Sequence, residues 1–87
     1  MTIKDPIEAI LILEKITESM QKVYPDCEYS IFIDEQLRLM QISVEYKDNT
    51  KKTKVHYMDV ESIVIILLEL LCITKELIEF VNEKSKK

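Results

Sequence analysis

The chain has 87 residues, a formal net charge of −4 and a pI near 5.0, with 47% apolar and 32% charged residues. That is one domain of ordinary globular composition, which excludes disorder. Its acidic balance argues against general binding of nucleic acid. Glycine is absent, which excludes the phosphate-cradling loop, the dinucleotide fingerprint and the nucleophile elbow, all of which need backbone that only glycine allows.

Asp5-Pro6-Ile7-Glu8 reads as a helix start: Asp5 caps, Pro6 fits the first helical position and Glu8 sits where a capping box wants it. Ala9, Ile12, Leu13, Ile16, Met20 and Val23 recur at helical spacing. Tyr24-Pro25 ends the run, because a residue before proline resists the helical region. The spacing predicts a helix over 6–23. From Cys27 the period changes to two, which predicts half-buried strands over 27–34, 37–46 and 52–58. Asp34-Glu35-Gln36 and 47–50 supply the turns, with Asp and Asn replacing the missing glycine. Asp59 caps a last helix, about 60–83, whose C-terminal dipole suits Lys84, Lys86 and Lys87. The fold class is α+β, in the order α-β-β-β-α: a three-stranded antiparallel meander with both helices on one face, in a single domain over 1–87.

Register follows from keeping apolar partners on one face. A tight turn at Asp48-Asn49 sets Val44 opposite Thr53, Ile42 opposite Val55, Met40 opposite Tyr57 and Glu45 opposite Lys52. A turn at Glu35-Gln36 sets Ile33 opposite Arg38, Ile31 opposite Met40, Tyr29 opposite Ile42 and Cys27 opposite Val44.

Little here suits catalysis, and no enzyme is expected. His56 is the only histidine, and the expected register puts it on the outer sheet face beside Ser30 and Gln41, as a solvated strand residue. One histidine and two distant cysteines, Cys27 and Cys72, make no metal site, so neither metal nor cofactor is expected. Both thiols are expected buried and inert in a cytoplasmic protein. Residues 1–6 show no basic segment leading into an apolar stretch and a cleavage site. The apolar window Ile63 to Ile73, with Glu69 inside it, is well short of the ~20 residues of a membrane span. The acidic polar face of the second helix has the wrong sign for anionic lipid. Lysine outnumbers arginine eleven to one and isoleucine is the commonest residue, the usage of AT-rich genomes such as those of many bacteria and phages.

Lys47, Lys51, Lys52, Lys54 and His56 cluster on one predicted hairpin. With the α-β-β-β-α order, this layout resembles that of double-stranded-RNA-binding domains, which place two helices on one face of a three-stranded sheet. The resemblance implies RNA binding through the basic hairpin. It stops at the layout, because that family starts its second helix with basic residues and here the start is Asp59-Val60-Glu61, which repels phosphate. Nucleic acid is therefore the alternative partner and a protein the expected one.

Two surfaces stand out for protein binding. On the outer sheet face the expected registers align Phe32, Leu39 and Met58 in a row, with Leu37 next along the strand and polar rows on either side. The last helix carries two apolar seams, Val60, Val64, Leu67, Leu71, Thr74, Ile78, Val81 and Ile66, Leu70, Ile73, Leu77, Phe80. A helix apolar nearly all round must be buried nearly all round, so the second seam is assigned to self-association, as a homodimer. The expected function is that of a small acidic, non-catalytic binding protein, of the adaptor, immunity-protein or phage-encoded inhibitor kind.

Overall fold

The computed structural model describes residues 5–85. The readings made on residues 1–4 and on Lys86 and Lys87 lie outside them. The order is α1 (Pro6–Val23), β1 (Glu28–Asp34), β2 (Leu39–Tyr46), β3 (Asn49–Lys52), β4 (His56–Tyr57) and α2 (Val60–Ser85). This is the expected α+β fold, with the third strand split in two. Both aspartates cap as read: Asp5 Oδ1 accepts the Ile7 N–H at 2.9 Å, with the Glu8 N–H on the Asp5 carbonyl, and Asp59 Oδ1 accepts the Ser62 N–H at 2.7 Å. These bonds satisfy amide donors that the first turn leaves without helical partners. Hydrogen bonds from the Ser62 backbone and side chain hold the Asp59 carboxyl below its usual range. At the far end of α1 the Tyr24 N–H bonds the Met20 carbonyl and Pro25 stops the helix.

Strand β2 is central, antiparallel to β1 on one side and to β3 and β4 on the other. Its Met40, Ile42, Val44 and Tyr46 are buried under the helices. They meet Ala9, Leu13 and Met20 of α1 and Ile63, Ile66, Leu70, Leu77 and Val81 of α2. α1 packs on β1 and α2 on β2 and β3. The short links make each helix antiparallel to the strand beside it in sequence, so the two helices run parallel. Both therefore start at the end of the molecule that carries the β1–β2 loop.

Both expected turns shift, and the registers with them. β1 pairs with β2 as Tyr29↔Val44, Ile31↔Ile42 and Ile33↔Met40. Each partner lies two residues further along β2 than expected, because the loop spans four residues, 35–38, rather than a tight turn at Glu35-Gln36. Two-residue hairpin turns need positive φ at one or both central positions, and Glu-Gln supplies neither. Instead Arg38 takes φ 55 and Asp34 Oδ1 accepts the Leu37 N–H at 3.0 Å. Between β2 and β3 the turn is Lys47-Asp48, both left-handed at φ 48 and 66, so Val44 pairs with Lys51 rather than Thr53. Asn49 Nδ2 donates to the Lys47 carbonyl at 2.8 Å and fixes it. A shift of two leaves every side chain on its expected face, since the pleat has period two.

The larger correction is at residues 53–55. The Thr53 N–H still bonds the Ile42 carbonyl at 2.9 Å. The returning Ile42 N–H is taken by the Thr53 hydroxyl, at 3.1 Å, and that hydroxyl donates to the Lys54 carbonyl at 3.0 Å. Gln41 Nε2 donates to the Thr53 carbonyl at 2.8 Å. The result is a β-bulge with one extra residue. Pairing resumes as Met40↔His56 and Leu39↔Tyr57, so everything after the bulge changes face. Val55 and Tyr57 turn outward, whereas Met58 enters the core at 1% exposure. The expected pair Ile42–Val55 fails through the turn shift, which sets Ile42 opposite Thr53, and Met40–Tyr57 through the shift and the bulge together, which set Met40 opposite His56.

Candidate functional site

The bulge explains most of what happens to the candidate residues. On the outer sheet face Phe32 is 53% exposed, Leu37 is exposed at the loop and Leu39 is half-buried. Met58 does not join them, being core. Its place opposite Leu39 is taken by Tyr57, 70% exposed, which the sequence reading assigned to the core. The expected row is also broken at Phe32, since the register shift of two sets Phe32 opposite Gln41 and Leu39 opposite Asp34; Phe32, Leu37, Leu39 and Tyr57 share the outward face without lining up across the strands. Beside Phe32 lies a shallow depression of about 130 Å³ lined also by Ser30, Gln41, Ser43 and Lys52. It is open and mixed in polarity, a contact surface rather than an enclosed reaction chamber.

His56 lies on the opposite side from that expected. It faces α2, where its Nε2 meets Glu69 Oε1 at 2.5 Å, and the other oxygen of Glu69 accepts the Lys54 N–H at 2.9 Å. Burial alone would raise the Glu69 carboxyl, but the Lys54 amide and His56 hold it below the usual carboxylate range. Ser30 stays on the outer face, so no Ser30–His56 pair exists. A signal for this clasp was present: an acidic residue inside the apolar window Ile63 to Ile73 needs a donor from across the core.

The lysine hairpin divides in the same way. Lys51 points to the helix side and pairs with Glu76 at 3.1 Å, whereas Lys52 borders the outer depression. Lys47 lies over the Tyr46 ring at 5.2 Å. Lys54 is exposed and gives its backbone amide to Glu69. The five basic residues Lys47, Lys51, Lys52, Lys54 and His56 therefore form no single cationic face.

Helix α2 reverses the assignment of its seams. Ile66, Leu70 and Leu77 are buried within this chain, and Ile73 packs against the same core. They face the sheet and are not free for a second subunit. Only Phe80 of that set is exposed, with Lys84 Nζ 5.0 Å from its ring. The other seam is split along its length. Thr74 and Val81 are buried, Thr74 with its hydroxyl 3.2 Å from that of Tyr29. Val60, Val64 and Leu71 are exposed, with Ile65, Leu68 and Cys72 beside them. Cys72 was expected to be buried and is not. Cys27 is, and burial pushes its thiol up, against a lesser downward pull from a hydrogen bond to Tyr29.

A second hollow, about 220 Å³, lies at the far end between Val23, Tyr24, Pro25, Cys27, Tyr46 and Ile78. It is mixed in polarity, with Asp26 also on its lining. Among the described residues no group of three metal-ligating side chains comes together, and no helix is long and apolar enough to cross a membrane.

The two ends of the molecule differ in charge. At the end where both helices start, segments 5–8, 34–38 and 59–61 carry Asp5, Glu8, Asp34, Glu35, Asp59 and Glu61 against one cation, Arg38. Three of these acids, Asp5, Asp34 and Asp59, are there to accept backbone amides. The other end mixes Lys22, Lys47 and Lys84 with Asp26, Glu28, Glu45, Asp48 and Glu83. No protein-family model, no curated protein and no solved structure matches the chain.

Proposed function

We propose that this is a non-catalytic protein-binding module, in keeping with its small size and acidic charge. The observation that carries the reading is the set of large apolar side chains left outside a well-filled core, on the outer sheet face and along the start of α2. An apolar patch rimmed by polar residues resembles a binding site in its anatomy. His56 is engaged by Glu69 and Cys27 lies in the core, while the Cys72 thiol is exposed among aliphatic side chains with no hydrogen-bonded base among the described residues. Adaptors, immunity proteins and phage-encoded inhibitors belong to this kind. Self-association through Ile66, Leu70 and Leu77 is withdrawn, since these residues fill the core.

A photo-crosslinking residue placed at Phe32, in cells that make the protein, tests the reading. A discrete protein adduct is the expected product, and Phe32→Ala should weaken binding of that protein at least about tenfold with folding little changed. Adducts with nucleic acid alone, together with a shift of double-stranded RNA that falls steeply with salt, would favour the RNA-binding alternative.

A further inference from the structure

Helix α2 exposes most of its outward apolar side chains over its first half, with Phe80 the exception further along. Val60, Val64, Leu68 and Leu71 step by four, four and three and are all exposed, Leu68 at 60%. Further along the same line the positions are polar: Lys75, Glu79, Asn82 and Glu83. The stripe is thus about 16 Å long, three helical turns. Nothing in α2's own packing asks for it, since Ile66, Leu70, Leu77 and Val81 already fill the sheet side. Taking such aliphatics out of water is favourable, so the stripe is a reserve of binding energy.

Charge says what fits it. The stripe begins at the acidic end of the molecule, where six carboxylates stand against one guanidinium among the described residues. Two copies meeting through this surface with their α2 helices parallel would set acids against acids, whereas antiparallel copies would set each acidic end against the Leu71 end of the other. Like charges in the parallel arrangement oppose association, whereas a basic partner is drawn in. A straight apolar stripe of helical repeat, about three turns long, matches the anchor spacing of an amphipathic helix laid along it.

We propose that the first three turns of α2 receive a basic amphipathic helix of a partner protein, its apolar residues on Val60, Val64, Leu68 and Leu71 and its Lys or Arg side chains toward the acidic end. This rests on the protein-binding reading and supplies the partner's chemistry.

The test titrates the labelled full chain with two helical peptides of about five turns. They share leucines at amphipathic spacing, and one carries lysine and the other glutamate elsewhere. The lysine peptide should bind, and the glutamate peptide at least about tenfold more weakly. Leu68→Ala should weaken the lysine peptide at least about tenfold, and Phe32→Ala should leave it unchanged. Equal affinity for the two peptides, absence of binding, or insensitivity to Leu68→Ala would overturn the proposal. So would sedimentation showing a homodimer that Leu68→Ala dissolves, or attachment to phosphatidylcholine vesicles that the same substitution abolishes. A protein adduct at Phe32 with no peptide binding at α2 would overturn this inference alone and leave the broader reading standing.

Discussion

Neighbouring leucines on α2 show how little composition says about fate. Leu70 has no exposed surface and sits over the central strand; Leu68, half a turn away, is 60% exposed. The amino acid and the helix are the same. What differs is whether the sheet lies beneath, and the comparison separates side chains that hold the fold from side chains that are free to act on something else.

The comparison breaks most visibly by truncation. Leu70→Ala should cost about 2–5 kcal/mol in denaturant unfolding, the range for deleting a buried leucine. Leu68→Ala should change stability by no more than about 0.5 kcal/mol. Equal losses would mean that both faces of α2 are structural and that the exposed stripe is not free.

The bulge supplies the next contrast, between a hydroxyl that serves as backbone and an ordinary strand side chain. Thr53→Val keeps the shape but leaves the buried Ile42 amide without its acceptor, at a cost of about 1–3 kcal/mol. Thr50→Val, on exposed β3, should be nearly neutral in the same unfolding assay.

The Glu69 clasp sharpens the comparison through pH. Its carboxyl titrates below the ordinary range in the folded chain, so the folded state favours the ionised form. Its contribution is complete above the unfolded carboxyl's value and fades as pH falls through the lowered folded one. Glu69→Gln should therefore lose stability at neutral pH and show a flatter acid limb, measured by thermal melting between about pH 3 and 7. A smaller loss than at the buried sites should come from Lys51→Met, which removes a solvent-exposed pair with Glu76 and should cost under about 1 kcal/mol in the same melts.

Against these contrasts, what the sequence disclosed can be located residue by residue. Helix ends were legible because local chemistry makes them: Asp5-Pro6, Tyr24-Pro25 and Asp59 each act within a turn of themselves. Strand faces through Lys52 were legible because alternation survives a register shift of two. The bulge was not, because Thr53, Val55 and Tyr57 alternate without a break. What selects the bulge is the Thr53 hydroxyl on Ile42 and the Glu69 carboxylate fifteen residues from the amide it accepts. That one extra residue misplaced Met58, Tyr57 and His56 together, and with them part of the candidate surface. Periodicity likewise revealed two seams on α2 but carried no information on which one the sheet would take.

The bulge has a consequence for how the molecule keeps apart from its own kind. β1 and β3 are the outer strands of the sheet, and an outer strand offers unpaired amides and carbonyls on which another chain can build. β3 is four residues long, is interrupted by the bulge and is followed or filled by Lys51, Lys52 and Lys54. Short length, a kink and lysines are the features that deter such growth. The lysine-rich hairpin, which looked in the sequence like a grip for phosphate, thus has work to do as a guard on a sheet border. β1 has no such guard: it runs unbroken for seven residues, with Ile31, Phe32 and Ile33 in succession and acids only at its ends. If this protein ever forms ordered aggregates, they should grow from the β1 side.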